Sequence, residues 1–400
     1  MQQAVLVAGA RTPIGRLLGV FVGFSAPDLG AAAIREALAR ARLTGADVDA
    51  VVMGNVVQAG VGPNPARLAA LRAGVPMSVP ATTVNKLCLS GLTAVAHAAQ
   101  LVALGRHEVV LAGGMESMTS APHLLPGARR GFKYGGAPLQ DALDTDALTC
   151  GIDGIPMGAA TERYQAGLGI SRAEQDEYAA GSHARAALAQ KAGFLAEEIV
   201  PLAVDRSGTE FVAEHDEGIR PDTTADRLAR LRPAFAEDGT ITAGSASQLS
   251  DGACALVVMS KERALRSGVP WLAEIGGYGT VAGPDPSLLH QPANAIADAV
   301  RRDGAVSHAE LDLVEINEAF AGVVLASMRS LGLTADRVNV NGGAIALGHP
   351  VGMSGARLVL SLALELRRRG GGVGAAALCG GGGQGDALVI RAPRALARPV

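Results

Sequence analysis

Three reactive side chains stand in distinctive settings at widely separated places in this sequence. Cys88 lies in Val84-Asn85-Lys86-Leu87-Cys88-Leu89-Ser90-Gly91, where a strand or turn gives way to a helix. Backbone N–H groups at a helix N-terminus stabilise a thiolate and can lower its pKa from about 8.5 toward neutrality, which would make Cys88 a nucleophile for a carbonyl carbon. A free cysteine is also commonly a small buried hydrophobe, and this segment alone leaves both readings open. His349 sits in Asn341-Gly-Gly-Ala-Ile-Ala-Leu-Gly-His-Pro-Val-Gly-Met-Ser-Gly355, a run too rich in glycine for regular structure before Ser354. Such a loop presents one imidazole, and the glycines around it permit a substrate to come close enough for proton transfer. Cys379 is followed by Gly380-Gly381-Gly382-Gly383-Gln384-Gly385. Positions 380, 382 and 385 match the dinucleotide pattern G-x-G-x-x-G, yet Asp386 to Arg391 reads as a strand, whereas that fingerprint must open a helix. The glycines read instead as a turn whose N–H groups face an oxyanion beside Cys379.

The elements that must position these groups follow an α/β pattern. Short β-branched runs such as Val51-Val52-Met53 and Val109-Val110-Leu111 alternate with Ala/Leu-rich stretches. One of these, from about Ser90 to Leu104, is apolar around most of its circumference and predicts a helix buried on nearly all sides. The chain also repeats itself. Val48-Asp49-Ala50-Val51-Val52-Met53-Gly54-Asn55 resembles Leu311-Asp312-Leu313-Val314-Glu315-Ile316-Asn317, each a strand entering a turn. Ser90-Gly91 follows Asp49 by 41 positions and Ser354-Gly355 follows Asp312 by 42, each opening an apolar helix. Strands ending in glycine, Val109 to Gly114 and Ala375 to Gly381, come next in both copies. A duplicated core is therefore expected, with Cys88 and Cys379 in opposite halves. Residues 120–247 differ in composition and carry a capped helix at Ser171-Arg-Ala-Glu174, which predicts an inserted lobe with its own folded elements. The expected division is 1–119 with 248–270 for the first half, 120–247 for the insertion and 271–400 for the second half.

Composition excludes several classes. The 400 residues are 48% hydrophobic and 18% charged, enough for more than one core and contrary to disorder. Lys plus Arg is 35 against 38 Asp plus Glu, a net charge of -3, so no overall basic field exists to hold nucleic acid or an anionic membrane. The four cysteines form no C-x-x-C pair and lack a neighbouring histidine cluster, so no metal site is expected. Met1 to Val7 runs directly into a strand-like segment without the charged region of a signal peptide, and Gly, Pro or charge breaks every long apolar stretch, which predicts a cytoplasmic protein without membrane spans.

Six ordered segments between Val5 and Ile390 resemble the signatures of the thiolase family. They are Val7-Ala8-Gly9-Ala10-Arg11-Thr12-Pro13-Ile14-Gly15, Asn85-x-x-Cys88-x-Ser90-Gly91, Gly113-Gly114-Met115-Glu116-Ser117-Met118, Asn317-Glu318-Ala319-Phe320-Ala321, Gly342 to Pro350, and Cys379-x-Gly381-Gly382-Gly383-x-Gly385. The resemblance implies the thiolase fold, two similar βαβαβαββ halves in an α-β-α-β-α layering with an inserted loop domain. It implies reversible Claisen condensation of two acetyl-CoA to acetoacetyl-CoA and CoA, with acyl-CoA substrates, coenzyme A as substrate and product, no cofactor, and a homotetramer built as a dimer of dimers. Transferred residue by residue, Cys88 carries the acyl group and His349 takes its thiol proton. Cys379 removes the α-proton of a second acetyl-CoA, Asn317 holds a water beside His349, and the N–H groups of Cys88 and Gly381 hold the thioester oxyanion.

For coenzyme A the resemblance points to Arg220 and Arg227 at the phosphates and to Ala243, Ala246, Ser247 and Leu249 along the pantetheine arm. Met157, Phe235 and Phe320 match residues lining the acyl end. Four positions depart from the family pattern. Ser245 stands where many relatives have Asn, Leu89 replaces a small residue, Pro156 stands where short-chain biosynthetic members often have His, and Arg227 replaces a small polar residue. Against the condensation of acetyl-CoA stand three readings: a degradative 3-ketoacyl-CoA thiolase of broader chain length, a decarboxylating ketoacyl synthase, and a silent CoA- or lipid-binding relative. The synthase has no need of a second cysteine, and a binding protein has no reason to keep Cys88, Asn317, His349 and Cys379 together.

Overall fold

The structure, a computed structural model, describes residues 2–206 and 208–394; the last six residues of the expected second half lie outside the described residues. Strands β1 (Ala4–Arg11), β2 (Ala50–Gly54), β3 (Ala81–Val84), β4 (Val109–Ser117), β5 (Ser250–Ser260), β6 (Ala273–Ala282), β7 (Leu313–Ile316), β8 (Gly372–Gly380) and β9 (Gln384–Ala392) belong to one ten-stranded sheet. Their order is β7-β8-β9-β6-β1-β5-β4-β2-β3, with the short strand Gly15–Arg16 pairing β5 off this path.

That path is two copies of one pattern. In the first half β2 runs parallel to β3 and β4, β4 antiparallel to β5, and β5 antiparallel to β1. In the second, β7 runs parallel to β8, β8 antiparallel to β9, and β9 antiparallel to β6, while a parallel bridge from Val314 to Val338 stands where β3 does in the first. The halves meet over two register pairs, Val5 with Glu274 and Leu6 with Ala273. The repeated aspartates account for the sequence similarity. Asp49 accepts hydrogen bonds from the Glu108 and Val109 amides at 2.8 and 2.9 Å, and Asp312 accepts from the Val373 amide at 2.8 Å. Each ties the start of one central strand to the next.

Side chains alternate across each strand, so both faces of the sheet are buried and the strands read as continuous apolar runs. Val52, Val110, Ala112, Ala376 and Leu378 enter a central cluster. Val51, Met53, Val109 and Leu111 enter a second cluster with α1 (Ala26–Ala41) and α2 (Pro65–Arg72). The central layer is α3 (Ser90–Ala103) together with α8 (Ser354–Arg368). The inserted segment contributes α4 (Met157–Gln165) and α5 (Arg172–Lys191), the latter opened by the capping box of Ser171 and Glu174. On the second half's outer face, Ala375, Ala377 and Val389 pack with α6 (Gln291–Asp303) and α7 (Ala321–Leu331). The result is helix, sheet, helix, sheet, helix. Among the described residues no helix is long and apolar enough to cross a membrane.

The two central helices cross at the repeated Ser-Gly pairs. A Cβ at Gly91 would stand 2.9 Å from the Ala356 nitrogen, and one at Gly355 would overlap the Leu92 backbone nitrogen. Backbone meets backbone here, so nothing flexible can yield. Gly355→Ala is expected to cost about 1–3 kcal/mol through overpacking. A lower denaturant midpoint in equilibrium unfolding is the readout, and an unchanged midpoint would show that the helices can part freely. The inserted lobe is fastened to β1 by Arg11, fully buried, which donates to both carboxylate oxygens of Asp216 at 2.7 and 2.9 Å and to Glu198 at 2.7 Å.

Candidate active site

Cys88 stands on a turn built between β3 and α3. Leu87 takes a left-handed conformation, φ 52°, and its amide donates to Asn85 Oδ1 at 3.0 Å. Ser90 Oγ accepts from the Lys86 amide at 2.8 Å and donates to the Leu87 carbonyl at 2.6 Å, which locks the turn. Lys86 then reaches across the halves. Its Nζ pairs with Asp386 Oδ1 of β9 at 2.7 Å, and the other oxygen of that buried carboxylate accepts from Thr93 and Tyr278 at 2.7 and 2.8 Å.

The backbone N–H dipoles of Cys88 itself and of Gly381, the first residue of the β8–β9 turn, act to lower the pKa of the Cys88 thiol. The expected depression of its pKa is absent. Burial pushes the thiol up to about 11, and the charge of Glu116 adds to this, against the two amide donors. Two N–H dipoles do not offset the loss of water around a thiolate. Alkylation of Cys88 by iodoacetamide should therefore keep rising about tenfold per pH unit beyond pH 8.5, because only the thiolate reacts. A plateau at or below pH 8.5 would show that the thiol is not raised.

Cys379, near the end of β8, is buried, and its thiol is pushed well above the ordinary range by burial and then by the neighbouring Cys88. Leu89 fits because position 380 lacks a side chain: a Cβ there would lie 2.6 Å from Leu89 Cγ. β7 and β8 run parallel with Ile316 opposite Ala377, so Asn317, just past β7, and Cys379, near the end of β8, lie at the same carboxyl edge of the sheet.

His349 is buried, and burial, then the charge of Arg357, takes its imidazole down to about 3, so it is neutral across the physiological range. Its backbone N–H donates to the Gln248 carbonyl at 3.1 Å and the Ser250 hydroxyl at 3.3 Å, and Leu249 between them packs in one cluster with Cys88. Ser354 Oγ donates to the Pro350 carbonyl at 2.9 Å and lies 2.6 Å from His349 Nδ1. With its hydrogen spent on Pro350, the hydroxyl accepts from Nδ1–H, which leaves Nε2 as the acceptor, 3.3 Å from Asn317 Nδ2. Asn317 Oδ1 is buried without a protein partner. Ser354→Ala would leave Nδ1–H unpaired at a cost of about 1–3 kcal/mol. The expected outcome is acetylation of Cys88 slowed roughly 10- to 100-fold at unchanged KM, and an unchanged rate would remove Ser354 from orienting the ring.

Two buried carboxylates that the sequence reading passed over hold these loops together. Glu116 accepts from Asn55 Nδ2 at 2.7 Å and the Val56, Val57 and Gly352 amides at 3.0, 3.1 and 2.9 Å, joining the first half to the His349 loop. Burial raises its pKa to about 7. Glu318 accepts from Tyr178 and Ser182 of α5 at 2.8 and 2.7 Å and from the Ile345 amide at 3.1 Å, joining the inserted lobe to the same loop. Both lie within segments quoted above, Gly113 to Met118 and Asn317 to Ala321, but their partners are distant in sequence.

The acyl-end candidates gather at Cys379. Met157, Phe235, Ala246 and Phe320 share its apolar cluster, with the Phe235 and Phe320 rings edge to face at 5.9 Å. Gly381 is held against this wall, since a Cβ would overlap Met157 Cε. Ala246 pairs with Phe320, and the Ser247 amide donates to the Ala319 carbonyl at 3.0 Å. Ser245 is buried, and its hydroxyl accepts from the Thr242 amide at 3.0 Å, capping the turn that presents exposed Ala243. Arg220 and Arg227 are exposed, as is Asp222 between them, which pairs with Arg227. Among the described residues no cluster of three or more His, Cys, Asp or Glu could hold a metal ion.

Comparison with known proteins bears on the whole chain. The thiolase N-terminal domain family matches residues 4–262 and the thiolase C-terminal domain family residues 269–392. A probable acetyl-CoA acetyltransferase of Mycolicibacterium smegmatis is 56% identical over 388 residues, covering 97% of this chain and 100% of the relative. An acetyl-CoA acetyltransferase of Chromobacterium violaceum is 46% identical over 98% of this chain and 100% of its own length. A probable acetyl-CoA acyltransferase of Staphylococcus epidermidis is 46% identical over 98% of this chain and 99% of its own.

Proposed function

The chain belongs to the thiolase family, and we propose on that premise that it condenses two acetyl-CoA reversibly to acetoacetyl-CoA and CoA through an acetyl group carried on Cys88. The observation that carries the mechanism is the half-buried Cys88 thiol, which feels the backbone N–H dipoles of Cys88 and Gly381 and has a buried thiol, Cys379, as its electrostatic neighbour.

In the first half-reaction the Cys88 sulfur attacks the acetyl carbonyl while its proton passes to His349 Nε2. The carbon–sulfur bond to CoA breaks, and the departing CoA sulfur takes that proton. The thiol rests protonated, so the proton leaves as the bond forms. Donors of the kind supplied by Cys88 and Gly381 are worth about 3–4 kcal/mol each where they meet a developing oxyanion. In the second half-reaction Cys379, as its thiolate, takes the α-proton of another acetyl-CoA, the enolate carbon attacks the acetyl group, and the departing Cys88 sulfur takes that proton from Cys379. A positioned base contributes about 10² to 10⁴ in rate, which leaves enolate stabilisation to supply the rest. The unpartnered Asn317 Oδ1, able to hold a water whose other hydrogen reaches the enolate oxygen, supports that role. Thiol, imidazole and amides carry every proton and charge, so the reaction needs no resident cofactor.

Coenzyme A would run from the thiols past Leu249, Ser247, Ala246 and Ala243 toward Arg220 and Arg227, in a cytoplasmic homotetramer built as a dimer of dimers. The edge-to-face Phe235 and Phe320 close the acyl end and support a short acyl group over a long one. Thiolysis of acetoacetyl-CoA compared with a long-chain 3-ketoacyl-CoA tests this. The expected kcat/KM is at least about tenfold higher for acetoacetyl-CoA, one such factor being about 1.4 kcal/mol of transition-state discrimination. Equal values would favour the broader degradative reading.

A further inference from the structure

Where β1 and β6 part after their two paired residues, the register of β1 slips between Leu6 and Ala8 and a cavity of about 550 Å³ opens at the seam of the halves. Val7, Ala8, Gly9, Leu43, Leu272, Leu364 and Trp271 are among the residues that line it. Arg40, Arg42, Arg263 and Arg367 surround it, against Asp47 and Glu197. Both carboxylates are already answered. Asp47 lies 3.9 Å from Arg263 and accepts from the Thr44 amide, and Glu197 pairs with Arg368. Arg40 is spent on the Gly9, Glu197 and Ile199 carbonyls. Among the described residues the Arg42 and Arg367 guanidinia have no carboxylate or carbonyl partner, and the buried Nε atoms of Arg263 and Trp271 are likewise unpaired.

We propose that this cavity binds a small phosphorylated ligand bearing a flat ring, of the class of a nucleoside diphosphate, its phosphates at Arg42 and Arg367 and its ring beside Trp271. Guanidinium forks match phosphate oxygens two at a time, and this cluster stands in a chain whose net charge is -3. The volume lies in the range of small-molecule sites. Trp271 and the leucines of the lining supply the apolar surface that a ring needs. The site is separate from the chemistry: α8 begins at Ser354, the partner of His349, and passes Leu364 and Arg367 near its other end, roughly 20 Å away along the helix axis.

Trp271 is the only tryptophan in the chain, so its fluorescence reports on this cavity alone. ADP titrated into the full-length protein should change that fluorescence saturably below about 1 mM. The double variant Arg42→Ala, Arg367→Ala should weaken the binding at least tenfold while acetyl transfer from acetyl-CoA proceeds at the unaltered rate. Both side chains are exposed, so the substitutions leave the core untouched. Absence of a saturable change, or a change that the double variant retains, overturns the proposal. Inorganic pyrophosphate binding as tightly as ADP overturns it too, since the ring would then contribute nothing.

Discussion

Incubated with acetyl-CoA, the protein should gain the mass of one acetyl group, and Cys88→Ala should gain none. The expected loss in turnover is on the order of 10⁶-fold, the scale on which removing a nucleophile abolishes covalent acyl transfer. The argument rests on where the thiol sits. Its sulfur feels the N–H dipoles of Cys88 and Gly381, and it is held on a turn locked by Ser90 and pinned across the halves by Lys86 and Asp386. Alanine removes the sulfur and little else, so the fold should persist and the comparison should be clean. Labelling that survives the substitution would take Cys88 out of the nucleophile's role.

The second large effect separates the two thiols. Cys379→Ser should still take up one acetyl group on Cys88, yet form acetoacetyl-CoA about 10² to 10⁴ times more slowly, the range lost with a positioned base. Serine nearly conserves size at a buried position, and its hydroxyl is a far weaker base precursor than a thiol. Because the Cys379 thiol is already raised by burial and by Cys88, the thiolate it would form is strongly basic. Condensation at the normal rate would place the base elsewhere, and a failure to acylate would show that Cys379 serves the first step as well. The intact-mass and product assays distinguish these outcomes in the same sample.

The duplication was legible because its markers are local. An aspartate before a strand, a Ser-Gly pair before a helix and glycines after the next strand recur at nearly constant spacing. Each has a short-range reason in the structure: Asp49 and Asp312 tie neighbouring strands, and Gly91 and Gly355 let two helices touch. The helix beginning at Ser90 and the capped helix after Ser171 were equally plain. The stretch before Ser354 was not, since Ala344–Leu347 forms one short helical turn among its glycines.

The state of the Cys88 thiol was not legible for a physical reason. A helix start is visible in sequence, whereas desolvation is a sum over everything packed around the sulfur, and here burial and Glu116 outweigh the amides. Ser354 was visible as the start of α8 but not as the group that sets the tautomer of His349, because that depends on its hydroxyl being already spent on Pro350.

By itself, then, the sequence determined the reactive groups, the doubled α/β core and the family, since residue type and spacing record turns, caps and strand ends directly. Only the tertiary structure decided which groups meet and in what protonation state. Lys86 reaches Asp386 across 300 positions, Glu116 reaches Gly352 across 236, and Glu318 joins α5 to the His349 loop. The arginines around Trp271 come together in the same way, from 42, 263 and 367. Such contacts leave no periodic trace along the chain, because they arise from how two halves and an inserted lobe pack against one another.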